Sequence, residues 1–121
     1  MFNQQLLQKE EEDFRKLTLA PEQRQIVEAL GKVLIQFIEI PLMPTLGFIW
    51  RAIKAWQMKY KRSVSELSTS DTEDRVNSVY EMTQTLKVFL KKVVRSEEDS
   101  VKVDDAVNKM FNFYKSQFSN R

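Results

Sequence analysis

The residues that interrupt regular structure are the feature of this sequence that most limits its fold. Pro21, Pro41 and Pro44, together with polar runs at residues 65–71 and 96–103, divide the chain into pieces of helical length. Within these pieces the apolar residues recur at intervals of three and four, and no piece shows sustained alternation of apolar and polar residues. The chain contains no Asn-Gly or Asp-Gly pair that would close a β-hairpin. The sequence therefore predicts an all-α fold, a bundle of about five helices.

The five helices are predicted to form a single domain that covers residues 1–121. Their approximate bounds are residues 3–17, 21–40, 46–63, 71–95 and 104–118. Pro41 should end the second helix, because a proline disfavours helical geometry at the residue before it. Thr45 then suits the N-cap of the third helix. We interpret Ser70 and Glu73 as a capping box that begins the fourth helix, the polar run before it as a loop, and residues 96–103 as an acidic connector.

Missing residue types restrict the chemistry of the chain. It contains no histidine and no cysteine, which excludes imidazole bases, thiol nucleophiles, disulfides and thiolate or imidazole metal sites. Its two glycines lie sixteen residues apart and cannot form a glycine-rich phosphate loop. The acidic groups at residues 71–74 and 104–105 lie at predicted helix starts, where the helix dipole favours carboxylates. We therefore expect no enzymatic activity, with no catalytic residue, no metal and no cofactor.

The charge of the chain is arranged in blocks that its formal net charge of +2 conceals. Residues 51–62 contain five basic side chains and residues 86–95 contain four, and neither block contains an acidic side chain. The nine cations are Arg51, Lys54, Lys59, Lys61, Arg62, Lys87, Lys91, Lys92 and Arg95. Because an electrostatic field decays within about 10 Å at ordinary salt, such local blocks matter more than the net charge for binding an anionic polymer.

The spacing of these cations suits nucleic-acid phosphates. On the third predicted helix the cations form a stripe beside the apolar face, with Lys59 apart from the others. On the fourth helix, Lys87, Lys91 and Arg95 follow one another at intervals of four, with Lys92 further round. Neighbours one turn apart repeat about every 6 Å, which is comparable with the spacing of phosphates along a strand. We therefore predict that all nine cations bind nucleic acid, through phosphate contacts that do not read its sequence.

A second interpretation of the same cations stays open. They can form a solvated face whose charges pair with carboxylates of the same chain, such as Glu97, Glu98 and Asp99. Under this interpretation the chain is a protein–protein adaptor that does not bind nucleic acid, and an apolar surface around Trp50 and Trp56 is its interface.

The aromatic residues among the basic ones also allow two interpretations. Trp50, Trp56 and Tyr60 flank basic residues, a combination with which single-strand binding proteins stack bases. Their helical spacing is more typical of a core, because Ile49 and Ile53 share their face of the helix, and we favour the core. Tyr80 is likewise predicted to belong to the core stripe of the fourth helix, by its spacing from apolar neighbours.

The apolar stretch at residues 33–50 raises the question of a membrane. It contains a single charge, Glu39, and a basic block follows it. It is shorter than the roughly 20 residues of a usual span, and Pro41 and Pro44 interrupt it. Two core helices joined by a short linker explain it better, so we expect no membrane partner, and a membrane-associated protein is the least favoured alternative. Since the N-terminus carries no cleavable signal sequence, we expect a cytoplasmic location.

Three segments carry a resemblance to a known family. Residues 48–56 (FIWRAIKAW), residues 86–95 (LKVFLKKVVR) and residues 106–114 (AVNKMFNFY) resemble, in a short helical chain without histidine or cysteine, the small subunits of CRISPR effector complexes. The last of these segments is similar to the helical C-terminal region of the large subunit in type I-D systems, which can also be made as a separate small protein by internal translation.

This resemblance implies a ribonucleoprotein function without chemistry of its own. It implies several copies of the chain stacked head to tail beside the other subunits of a multi-protein complex. It also implies basic side chains facing the guide RNA–target DNA or the displaced strand. By position, these side chains are Arg51, Lys54, Lys61, Arg62, Lys87, Lys91 and Arg95.

Overall fold

Six α-helices follow one another in a computed structural model that describes the backbone of residues 2–119 and the side chains of residues 2–117. They are α1 (Gln4–Arg15), α2 (Pro21–Leu34), α3 (Leu42–Tyr60), α4 (Val64–Thr69), α5 (Thr72–Lys91) and α6 (Glu97–Ser119). The prediction of an all-α bundle of about five helices is confirmed. The additional helix is the short α4. The side chain of Phe118, which was predicted to belong to the apolar face at the end of the last helix, lies outside the described residues.

The start of α1 is attached to the end of α5. Asn3 caps α1, since its side-chain oxygen accepts a hydrogen bond from the backbone N–H of Leu6 at 3.2 Å. The backbone N–H of Asn3 also donates to the carbonyl of Val93 at 2.8 Å, beside an antiparallel bridge between Phe2 and Val94. Because the Phe2 ring is buried, the first residues described are part of the packed bundle.

The junction between α2 and α3 differs from its prediction. Helix α2 ends at Leu34 and α3 begins at Leu42, so that Pro44 lies inside the first turn of α3. A proline is tolerated there, because the first N–H groups of a helix have no helical partner. The prediction that Thr45 caps α3 is therefore wrong: its hydroxyl donates to the carbonyl of Pro41 at 2.8 Å within the helix.

The predicted loop at residues 65–71 is also wrong, because α4 forms there. Ser63 and Glu66 make a capping box in which the Ser63 side chain accepts from the Glu66 N–H and the Glu66 carboxylate accepts from the Ser63 N–H. Val64 and Leu67 are buried, so packing against the core stabilises this short helix.

The capping box predicted at Ser70 and Glu73 does not form. Helix α5 is capped instead by Asp71, whose carboxylate accepts a hydrogen bond from the Asp74 N–H at 2.7 Å. An aspartate is as good an N-cap as a serine, and its charge suits the positive end of the helix.

The connection between α5 and α6 is shorter than predicted. Helix α5 ends at Lys91, and α6 begins at Glu97 rather than near residue 104. The Ser96 hydroxyl accepts a hydrogen bond from the Asp99 N–H at 3.1 Å, which starts α6 early. The residues predicted as an acidic connector therefore form the first turns of α6, where carboxylates interact favourably with the helix dipole.

Helix α3 lies at the centre of the bundle and packs against α1, α2 and α5, while α6 covers α5 and α2. Ile49, Ile53 and Trp56 on α3 are almost completely buried, Trp56 with 2% of its surface exposed. Trp50 is buried as well, so the prediction of a core position is confirmed for the two tryptophans; it is wrong for Tyr60, which is 42% exposed at the end of α3. The two rings themselves therefore offer little surface to a partner protein, and the adaptor function stays an alternative interpretation.

The apolar stretch at residues 33–50 is built into the core. It comprises the end of α2, the linker and the first half of α3, and residues 44–50 are all buried. Within the described residues, no helix has the length and apolar character needed to cross a membrane. Two core helices with a linker are therefore the correct interpretation of this stretch.

Candidate nucleic-acid interface

Arg51, the first of the predicted cations, lies in an ion pair between α1 and α3. Its Nε donates to Glu10 Oε1 at 2.5 Å, and its Nη2 lies 3.5 Å from Asp13 Oδ2. The hydrogen bond to Glu10 raises the pKa of the Arg51 guanidinium above its ordinary value. About half of the Arg51 side chain (49%) stays exposed, whereas Glu10 is only 8% exposed. Arg51 therefore both holds α1 on α3 and contributes to the surface.

Arg62 turns away from the other cations of its block. It makes two hydrogen bonds to the carboxylate of Asp74, at 2.9 and 2.6 Å, and lies over the ring of Trp56. These hydrogen bonds lower the pKa of the Asp74 carboxyl below its usual range and raise that of Arg62. A bidentate pair with only 29% of the arginine side chain exposed makes Arg62 a structural clasp between the end of α3 and the start of α5.

Lys91 joins α5 to α6. Its ammonium group donates to the Asp104 carboxylate at 2.8 Å. Pairing of predicted cations with carboxylates of the same chain therefore occurs at Arg51, Arg62 and Lys91. The partners predicted for it were wrong: in the described part of the chain, Glu98 and Asp99 lie within ion-pair distance of Lys102 on their own helix, not of a predicted cation.

The other six predicted cations keep their charge available. They are Lys54, Lys59, Lys61, Lys87, Lys92 and Arg95, and among residues 2–117 no carboxylate lies within ion-pair distance of any of them. All are exposed except Lys87, which is half-buried. The ammonium groups of Lys59 and Lys92 lie over the rings of Tyr60 and Phe89, at 5.4 and 5.5 Å from the ring centres.

The outer face of α3 carries the clearest row of these cations. Arg51, Lys54, Met58 and Lys61 follow at intervals of three and four, and all four are exposed, Met58 with 78% of its surface. We call this set the α3 row. Lys61 ends α3 in the left-handed conformation, with φ 53° and ψ 46°. The predicted stripe is therefore confirmed for these residues and wrong for Arg62.

The second block does not form one stripe. Because α5 ends at Lys91, Arg95 lies in the connection to α6, and the predicted row from Lys87 through Lys91 to Arg95 is wrong. Lys91 lies on the side of α5 that faces α6. Lys92, the C-cap of α5, instead lines a cleft of about 280 Å³ between α1, α3 and α5.

This cleft brings the two basic blocks together. Arg51 from the first block and Lys92 from the second line it, together with Lys9 on α1. Its apolar walls include Phe48, Phe89 and Val93. The sequence did not indicate Lys9, because an acidic run follows it directly at residues 10–13. Only the packing of α1 against α3 and α5 places this lysine beside the predicted cations.

Among the described residues, no group of three or more carboxylates is arranged to hold a metal ion. The absence of catalysis, metal and cofactor stays a prediction from the sequence.

Comparison of the chain with known protein families, with curated proteins and with solved structures finds no match. Any function proposed for the chain therefore depends on its own sequence, fold and charges.

Proposed function

We propose that the chain is a non-catalytic helical subunit that binds nucleic acid through its sugar–phosphate backbone. The observation that supports this best is the division of the nine cations in the described part of the chain. Three of them form ion pairs with carboxylates on neighbouring helices, and these pairs hold the helices together. The other six have no carboxylate within ion-pair distance among residues 2–117. A cation without an internal partner can bind a phosphate without breaking an existing ion pair.

The α3 row has the dimensions for more than one phosphate. Lys54 and Lys61 lie two helical turns apart, about 10 Å along the axis at 1.5 Å per residue. Arg51, one turn before Lys54, keeps about half of its side chain at the surface. Contacts of this kind position a strand and carry no sequence information. Binding should therefore depend steeply on salt and little on sequence.

The finer proposal is the small subunit of a CRISPR interference complex. It rests on the resemblance of residues 48–56, 86–95 and 106–114 to that family. In this setting several copies stack head to tail with other subunits in the cytoplasm, and their cations face the guide RNA–target DNA or the displaced strand. Purifying the native complex and identifying its proteins and nucleic acids tests this finer proposal directly.

The binding proposal is tested by charge reversal with a matched control. Lys54→Glu/Lys61→Glu changes the α3 row, while Lys16→Glu/Lys32→Glu changes the net charge equally at two exposed lysines, the C-cap of α1 and the last turn of α2. Affinity for labelled single- and double-stranded DNA and for RNA is measured by fluorescence anisotropy over a range of salt concentrations. We expect the first variant to lose roughly tenfold in affinity and to show a shallower salt slope, and the second to bind almost as the unaltered chain does.

Equal losses of affinity in the two variants would show that only the net charge matters. They would contradict the proposal that the α3 row is the binding site. An unaltered chain that binds none of the probes at low salt contradicts the function itself. Circular dichroism of each variant verifies that its helices are intact, so that a loss of binding is not a loss of fold.

A further inference from the structure

An aromatic groove lies on the other side of α5 from α3. It runs between the first half of α5 and the second half of α6 and has a volume of about 670 Å³. Sites for small organic ligands have volumes of this order. Val76, Asn77 and Tyr80 of α5 and Phe111 of α6 line it, so that both apolar and polar groups are present.

Tyr80 supplies the groove with a surface for stacking. Its spacing predicted a core position, but 49% of its surface is exposed. The ring is held edge-to-face by Phe111, with centroids 5.2 Å apart and an interplanar angle of 63°. Phe111 itself is partly buried against the core. An aromatic ring that is held on one side and accessible over half its surface is the kind of platform on which nucleobases stack.

Polar groups beside this ring match the edge of a base. The amide of Asn77 can both donate and accept hydrogen bonds. It is exposed, and in the described part of the chain no hydrogen bond to its side chain is formed. Thr72 and Glu73 add a hydroxyl and a carboxylate to the same groove. Aromatic and hydrogen-bonding groups thus occur together, as the recognition of an unpaired base requires.

Beyond the groove, the edge of α5 that faces α6 carries basic side chains. Tyr80 and Lys91 both contact α6, through Phe111 and Asp104. Lys87 lies seven residues after Tyr80 and four before Lys91, so helical periodicity places it on this edge between them. Lys115 of α6 lines the groove too, and the acidic groups facing this edge are Glu73 and Asp104. Lys91 is paired with Asp104, so Lys87, which has no carboxylate within ion-pair distance among residues 2–117, is the cation that a phosphodiester backbone leaving the groove can contact.

From this arrangement we propose that the groove between α5 and α6 binds a base of a single-stranded nucleic acid, stacked on Tyr80, with the backbone passing Lys87. The site rests on the proposed function, because it needs a strand that the chain binds. It adds a contact to the base, which the α3 row does not make. It also differs from the stacking that the sequence raised, because Trp50 and Trp56 are buried and Tyr60, which is 42% exposed, lies on α3 outside this groove.

The test compares two oligonucleotides of equal length and charge, an oligothymidylate and its abasic analogue. Anisotropy is measured for the unaltered chain and for Tyr80→Leu, Tyr80→Phe and Phe113→Leu. Phe113 is the matched control, because it is an exposed aromatic residue of α6 outside the groove. The unaltered chain should prefer the oligothymidylate by about 5- to 150-fold, the factor for stacking one base. Tyr80→Leu should abolish the preference, while Tyr80→Phe and Phe113→Leu should retain it.

The possible results separate the two proposals. If the unaltered chain binds both oligonucleotides equally, or if Tyr80→Leu keeps the preference, the groove does not bind a base. The proposed contacts between the cations and the sugar–phosphate backbone are not affected by that result. If neither oligonucleotide binds, both proposals are wrong. If Tyr80→Leu leaves the preference intact but dissociates an oligomer in sedimentation, the groove binds a second copy of the chain, and the base-binding site is overturned.

Discussion

The carboxylate of Glu10 on α1 and the guanidinium of Arg51 on α3 form an ion pair of 2.5 Å in which the acid is buried and the base is half exposed. The pair therefore has two roles that oppose each other. It stabilises the packing of α1 on α3, and it occupies a cation of the α3 row that a phosphate would otherwise contact. Asp13, 3.5 Å from the same guanidinium, adds to this competition.

Glu10→Gln separates these two roles. The amide keeps the shape of the side chain but removes its charge, so we expect a loss of about 1 kcal/mol in the free energy of unfolding. Arg51 stays solvated through its exposed half and becomes more available, so the affinity for DNA should rise by up to about fivefold. Urea denaturation and anisotropy measure the two effects. In an Arg51→Gln background the gain in affinity should vanish, and a gain that persists there would show that Arg51 is not its cause.

Close packing at Gly47 predicts a substitution whose effect depends on Glu10. A Cβ at position 47 would lie 2.9 Å from both Cγ and Oε1 of Glu10, which is too close for either. Gly47→Ala should therefore displace the Glu10 carboxylate and destabilise the chain, although alanine is the better helix former by about 1 kcal/mol. In a Glu10→Ala background the obstacle is gone, and the same substitution should stabilise by about 0.5–1 kcal/mol. A destabilisation that is equal in both backgrounds would contradict this steric explanation.

The core and the α3 row could be predicted from the sequence because their signals are local. Ile49, Ile53 and Trp56 repeat at helical spacing and are buried together. Lys54 and Lys61 repeat beside this apolar face on the same helix and are exposed. In each case the residues that define the surface lie on one helix, and the periodicity of that helix suffices to place them.

The ion pairs could not be predicted, because their partners are distant in sequence. Arg51 and Glu10 are 41 residues apart, and Lys91 and Asp104 are 13 apart on different helices.

The predictions of the helix ends were wrong for another reason. The serine–glutamate pattern of a capping box occurs at Ser63 as well as at the predicted Ser70, and the first box forms because Val64 and Leu67 then pack into the core. Tertiary packing decides between such equal local signals.

The clasp between Arg62 and Asp74 predicts how stability depends on pH. The pKa of Asp74 is lowered in the folded chain, chiefly by its hydrogen bonds from Arg62. Its contribution to stability is therefore fully present above the pKa of an unfolded aspartate, about 3.9, and is lost as the pH falls through the lower pKa of the folded state. Asp74→Asn should weaken the acid-induced fall in stability below about pH 4. Urea titrations at several pH values measure this, with Glu12→Gln, at an exposed carboxylate of α1, as the control that should leave the fall unchanged. If Asp74→Asn preserves the full acid dependence, the clasp is not its source.

Lys61 allows stability and binding to be changed in opposite directions. It occupies a left-handed backbone conformation, with φ 53°, at the end of α3, where glycine is the residue with the least steric cost. Lys61→Gly should therefore raise the free energy of unfolding by about 0.5–1 kcal/mol. The same substitution removes a cation from the α3 row, so the affinity for DNA should fall and its salt slope should become shallower by about one unit. Lys59→Gly is the control within the helix, where glycine should lower stability by about 1 kcal/mol. A Lys61→Gly chain that binds DNA as tightly as the unaltered one would exclude Lys61 from the interface. If the affinity falls, the greater stability of the variant rules out misfolding as the reason.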